Sequence, residues 1–166
     1  MCRSPSEPSP SLSLGGFLAE RLLRAGCSTV FAVPGDFTLA LLDELLRPQR
    51  LAVVGVCNEL NAGHAADGFS RASGGLGCAV VTYMVGGLSL LSAVAGAAAE
   101  AVPVLVVSGA PRHRELAAGR LLHHCCGRPE VRQAERCFRP VVCNSFIVRD
   151  LEQAPAMYSP STTAFA

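Results

Sequence analysis

Short, nearly unbroken runs of apolar, β-favouring residues recur along this chain, each parted from the next by a stretch of helical length. They are residues 28–33 (STVFAV), 51–56 (LAVVGV), 77–83 (GCAVVTY) and 104–108 (VLVVS). A strand with one wet face alternates apolar and polar residues, whereas a continuous run needs cover on both faces. Helix-length connections also let successive strands lie parallel. The order therefore predicts an α/β chain, with a doubly wound parallel sheet and helices on both faces. Phe17, Leu18, Leu22 and Leu23 mark a first helix that Gly26 ends. Further helices are predicted over 37–46, with Asp36 as N-cap, over 58–72 and over 86–100. A long polar loop follows residue 108, and residues 141–148 read as a weaker fifth strand.

Composition supports this reading. Half of the 166 residues are hydrophobic and 16% are charged, and the mean hydropathy is +0.37. That suits one domain whose sheet is buried on both sides. A net charge of +1 without a basic run argues against nucleic acid or an anionic membrane as partner. The most apolar stretch, 86–109, is interrupted by Glu100 and Pro103, so it reads as a buried helix and strand and not as a membrane span. Residues 1–16 are rich in Ser and Pro and lack the apolar core of a signal peptide. They read as a disordered lead-in to a domain over 17–156, with a divergent tail at 157–166.

Eight cysteines do not form a disulfide framework on this reading. Cys57 and Cys78 sit at or inside apolar runs, where a free thiol behaves as a small hydrophobe. No CxxC occurs, and adjacent Cys125-Cys126 suit a bridge poorly. A reducing, cytoplasmic compartment is expected. His123, His124, Cys125 and Cys126 do not fall at zinc spacings, so no metal site is expected in this chain.

In parallel α/β sheets, ligands gather beyond the carboxyl ends of the strands. Asp36 follows the first run, Glu59 the second, and Thr82 lies near the end of the third. His113, His123 and His124 belong to the loop after the fourth. Each has an ordinary reading: Asp36 as a cap, Glu59 as a first-turn carboxylate favoured by the helix dipole, Thr82 as β propensity, the histidines as solvated loop residues. Together, two carboxylates, a hydroxyl and paired imidazoles on one side of one sheet point to a shared cleft. No GxGxxG or GxxxxGK[ST] accompanies them, and the glycine pairs 15-16, 74-75 and 86-87 stand alone. A dinucleotide or P-loop site is therefore not expected.

These residues also carry a resemblance. Val33-Pro34-Gly35-Asp36-Phe37 with Leu41-Leu42-Asp43 resembles the VPGDF…LLD signature of thiamine-diphosphate-dependent 2-oxo-acid decarboxylases of the pyruvate decarboxylase type. Residues 57–68 (CNELNAGHAADG) resemble that family's CNELNAGYAADG segment, with His64 in place of an aromatic. Residues 81–89 (VTYMVGGLS) are similar to its VT(F/Y)SVGGLS, with Met84 where Ser is usual. Residues 103–111 (PVLVVSGAP) and Leu122-His123-His124 complete the likeness, which runs from about residue 17 to residue 156.

The resemblance implies a thiamine-diphosphate-binding fold, its last helix and strand incomplete here, and non-oxidative decarboxylation of a 2-oxo acid to an aldehyde. Glu59 would bond N1′ of the cofactor's aminopyrimidine, while Thr82, Pro34 and Gly35 would line its pocket. Asp36, His123 and His124 would handle protons. The paired histidines favour pyruvate or indolepyruvate, with pyruvate first. Members of the family are homo-oligomers whose site lies between the first domain of one subunit and the last domain of another. That last domain holds magnesium through a GDG…N motif, which these residues lack. The expectation is a truncated member, inactive alone. One chain of a two-chain decarboxylase, or a non-enzymatic docking or regulatory module, are the alternative readings.

Overall fold

The computed structural model describes residues 13–47, 50–125, 127, 130–149 and 152. Helix α1 spans Leu14–Arg24, and Ser13 caps it by accepting a hydrogen bond from the Gly16 N–H at 3.1 Å. It thus begins three residues before the expected start, because a serine at the N-cap satisfies a first-turn donor. The remaining elements are β1 (Thr29–Ala32), α2 (Leu39–Leu46), β2 (Ala52–Gly55), α3 (Glu59–Ser73), β3 (Gly77–Val81), α4 (Val85–Ala99), β4 (Val104–Ser108), α5 (His113–Ala117) and α6 (Arg132–Phe138).

The four strands form one parallel sheet in the order β2-β1-β3-β4. Side chains alternate between its faces. On one face Val30, Ala32, Cys78 and Val80 pack with Leu18 and Leu22 of α1 and Leu42 and Leu45 of α2. On the other, Ala79 and Val81 pack with Ala62 and Ala66 of α3, Leu90 and Val94 of α4, and Phe138 of α6. All five residues of β3 are buried, which is why that run carries no polar residue. The expected α/β architecture with helices on both faces is the one observed. No helix among the described residues is long and apolar enough to cross a membrane.

Several expectations require correction. Residues 141–149 form no strand. The region read as a polar loop contains α5 and α6. Thr38, not Asp36, occupies the N-cap position of α2. Cys78 is buried as a small hydrophobe would be, but Cys57 is exposed, because it follows the edge strand β2. The lead-in over 1–12, Cys126 and the tail at 157–166 lie outside the described residues.

Candidate active site at the carboxyl edge of the sheet

The Val33 N–H bonds the Val80 C=O at 3.1 Å, extending the β1–β3 pairing to the start of the Pro34-Gly35-Asp36 turn. Thr38, 1% exposed, fastens that turn. Its hydroxyl donates to the Gly35 C=O at 2.9 Å, and its Oγ1 accepts from the Gly35 N–H at 3.2 Å. A backbone hydrogen bond from the Thr38 N–H to the same carbonyl measures 2.7 Å. Asp36 is thereby held at the rim, its side chain 76% exposed.

Across from it, His123 Nε2 lies 3.5 Å from Asp36 Oδ2. Phe37 stacks on the His123 ring at a centroid distance of 4.8 Å and meets Tyr83 edge-on at 5.5 Å. The two imidazoles lie 4.6 Å apart at 63°. His124 has φ +67°, a left-handed turn that histidine tolerates better than most residues. Tyr83, almost fully buried, donates from its hydroxyl to the Glu130 C=O at 3.1 Å. Aromatic packing thus sets the position of the histidine pair where the sheet ladder has ended.

Glu59 is the first residue of α3, after Asn58, whose side chain accepts from the Asn61 N–H at 2.9 Å. Its half-buried carboxylate reaches across to the start of α4. A Cβ on Gly86 would stand 3.3 Å from Glu59 Oε1 and 2.9 Å from Thr82 Cγ2. Only the bare backbone of Gly86 lets the carboxylate and the threonine share this place. Thr82 is 6% exposed, and its Oγ1 is buried without a hydrogen-bond partner among the described residues. A Cβ on Gly35 would meet that oxygen at 2.5 Å. The floor therefore runs continuously from Gly35 through Thr82 to Gly86 and Glu59.

The structure brings Asp36, His123 and His124 together on one side of Thr82 and places Glu59 on the other. No ion pair or hydrogen bond joins Glu59 to Asp36 among the described residues. Pro34 is exposed beside Gly35. His113 stands apart, opening α5. Sequence reasoning missed Thr38, Phe37 and Tyr83 as the residues that fix the cluster. The aromatics carried a signal, since both flank motifs on adjacent strands. Met84, just before α4, adopts φ +49° while buried, a backbone state that nothing in its side chain announces.

Chemically, an unpartnered buried hydroxyl beside a carboxyl suits a flat, polar heteroaromatic ring that both donates and accepts hydrogen bonds. A buried polar atom left alone is unfavourable by about 1–3 kcal/mol, so its presence marks a place prepared for a ligand. A proton-exchanging pair, Asp36 and His123, stands at the rim. Among the described residues no group of three or more His, Cys, Asp or Glu is placed to hold a metal ion.

Residues 12–130 match the family described as "Thiamine pyrophosphate enzyme, N-terminal TPP binding domain". Similar curated proteins include "Pyruvate decarboxylase 2" of Oryza sativa subsp. japonica, 51% identical over 142 residues, 86% of this chain and 23% of the relative. "Pyruvate decarboxylase 4" of Arabidopsis thaliana is 47% identical over 151 residues, 91% of this chain and 25% of the relative. The chain spans about a quarter of the length of these relatives.

Proposed function

We propose, from the premise that this chain belongs to the thiamine pyrophosphate enzyme family through its N-terminal TPP-binding domain, that it forms the pyrimidine-binding half of a 2-oxo-acid decarboxylase site. Pyruvate is the substrate proposed, as the names of its relatives suggest. The observation that carries this reading is the Glu59 carboxylate beside the unpartnered Thr82 hydroxyl, over the bare Gly86 backbone.

The residues present fit the aminopyrimidine of thiamine diphosphate. Glu59 would share a proton with the ring nitrogen N1′, Thr82 would offer its hydroxyl, and Pro34 and Gly35 would border the ring. When bound, the cofactor supplies the electron sink that decarboxylation of a 2-oxo acid requires. Glu59 holds or releases one proton at Oε1, and the apolar floor beneath it keeps competing water away. Asp36 and His123 pass a proton between Oδ2 and Nε2 at the rim, on the side where product would leave. His124 sets the tilt of its neighbour. Magnesium and the diphosphate would be held by polypeptide outside these residues, in a homo-oligomer that completes the site.

Two measurements test this. Purified chain with thiamine diphosphate, magnesium and pyruvate is expected to release no acetaldehyde above background. A chimera in which residues 13–149 replace the matching segment of the rice relative is expected to turn over pyruvate, and to lose that activity on Glu59→Gln. Turnover by the chain alone would overturn the half-site reading. A chimera that folds and binds cofactor but is indifferent to Glu59→Gln would overturn the role of that carboxylate.

A further inference from the structure

β4 is an edge strand, and its hydrogen-bonding parity shows which of its groups are left over. The Pro103 C=O accepts from the Gly77 N–H at 3.0 Å, and the Gly109 N–H donates to the Val81 C=O at 2.9 Å. In a parallel strand, successive residues present their N–H and C=O to opposite sides. Residues 103, 105, 107 and 109 therefore serve β3, and Val104, Val106 and Ser108 turn their backbone groups outward. No backbone partner meets them among the described residues. Unpaired edge groups of this kind form a template for another strand.

What lies beyond that edge is a groove of about 1170 Å³. β4 forms one wall, and the extended segment 141–149 forms the other. Leu18 and Leu41 reach it from one helical layer, and Val94 and Phe138 from the other. Both layers thus overhang a space in the plane of the sheet. An occupant there would be covered on both faces, so its side chains must form a nearly continuous apolar run, as in β3.

We infer that the groove beside β4 receives one extended apolar strand of about five residues, paired to the outward groups of Val104, Val106 and Ser108. Its source is the part of a full-length relative that this chain does not match, since the relatives carry about three quarters of their length outside the matched region. The segment 141–149 is rich in β-favouring residues yet unpaired, as the far neighbour of an inserted strand would be. This inference does not depend on the thiamine site.

The test uses the full 166-residue chain and overlapping synthetic peptides of about ten residues, drawn from the unmatched part of rice pyruvate decarboxylase 2. Binding is read by fluorescence anisotropy and by amide exchange at Val104, Val106 and Ser108. A peptide with an unbroken apolar run is expected to bind and to slow exchange at those three amides. Val106→Pro and Val104→Pro each delete an outward N–H while keeping the bonds to β3, as proline permits at an open edge. Each should weaken that peptide roughly five- to tenfold, the change for one lost hydrogen bond. Val104 opens the strand, so its variant decides the matter if Val106→Pro fails to fold. The inference is overturned if no peptide slows those amides, or if binding ignores both proline variants. It is equally overturned if the amides are already protected in the free chain in proportion to its concentration, which would assign the edge to a second copy.

Discussion

Thr82 Oγ1 lies buried against Gly35, so close that a single added methyl on Gly35 would stand 2.5 Å from it. This contact joins the turn carrying Asp36 to the floor under Glu59. It explains why a glycine is needed there although the backbone angles make no special demand.

Replacing Thr82 by valine keeps the shape and removes the unpartnered hydroxyl. The free chain is expected to gain stability by about 1 kcal/mol, because a polar group without a partner is unfavourable when buried. Urea unfolding monitored by circular dichroism checks this. The same variant should bind thiamine diphosphate more weakly, which titration of the purified protein measures.

Gly35→Ala drives a methyl into the Thr82 side chain. Overpacking of this kind costs about 1–3 kcal/mol, and a fall of that size in unfolding free energy is expected. Thr82→Ala should not rescue it, since the clash includes Thr82 Cβ, also at 2.5 Å. Recovery in the double variant would show that the turn moves freely.

Thr38→Val removes both side-chain hydrogen bonds that pin Gly35. Two buried backbone groups lose a partner, so destabilisation of about 1–3 kcal/mol is expected. Asp36 should also lose its fixed distance to His123. The chemical shifts of the His123 ring report on that separation, and an unchanged ring spectrum would contradict the pinning role.

Cys57, Cys137 and Cys143 are exposed, whereas Cys27 and Cys78 are buried. The Cys78 thiol is pushed well above its ordinary range by its hydrogen bond with Cys27 and by burial. Peptide-resolved iodoacetamide labelling of the native chain should modify the exposed three first. Cys27 and Cys78 should label only on unfolding, since the thiolate is the reacting form.

Much of the architecture was legible in the apolar runs. A five-residue stretch such as VLVVS can be buried on both faces only as an inner-type strand, and all four such runs became parallel strands. The site edge was legible for the same reason, because strand ends in a parallel sheet share one side. What local sequence did not carry was any relation between distant segments. Asp36 read as a cap because Asp favours that position, but Thr38 sits nearer α2 and spends its hydroxyl on Gly35 instead. Residues 141–148 have the composition of a strand, yet strand formation depends on a neighbour to pair with, and β4 is not in reach of their backbone. Helix α6 was hidden because RQAERCF has too few apolar residues to show a period, and it is packing of Ala134 and Phe138 that holds it.

Central to the account is the place of Glu59. Nuclear magnetic resonance titration of the 166-residue chain with thiamine diphosphate and magnesium, repeated on Glu59→Gln, tests it most directly. The account predicts shifts centred on the amides of Gly35, Thr82 and Gly86, which largely vanish in the glutamine variant while its fold is retained. Shifts confined to another surface, or an undiminished response in Glu59→Gln, would contradict it.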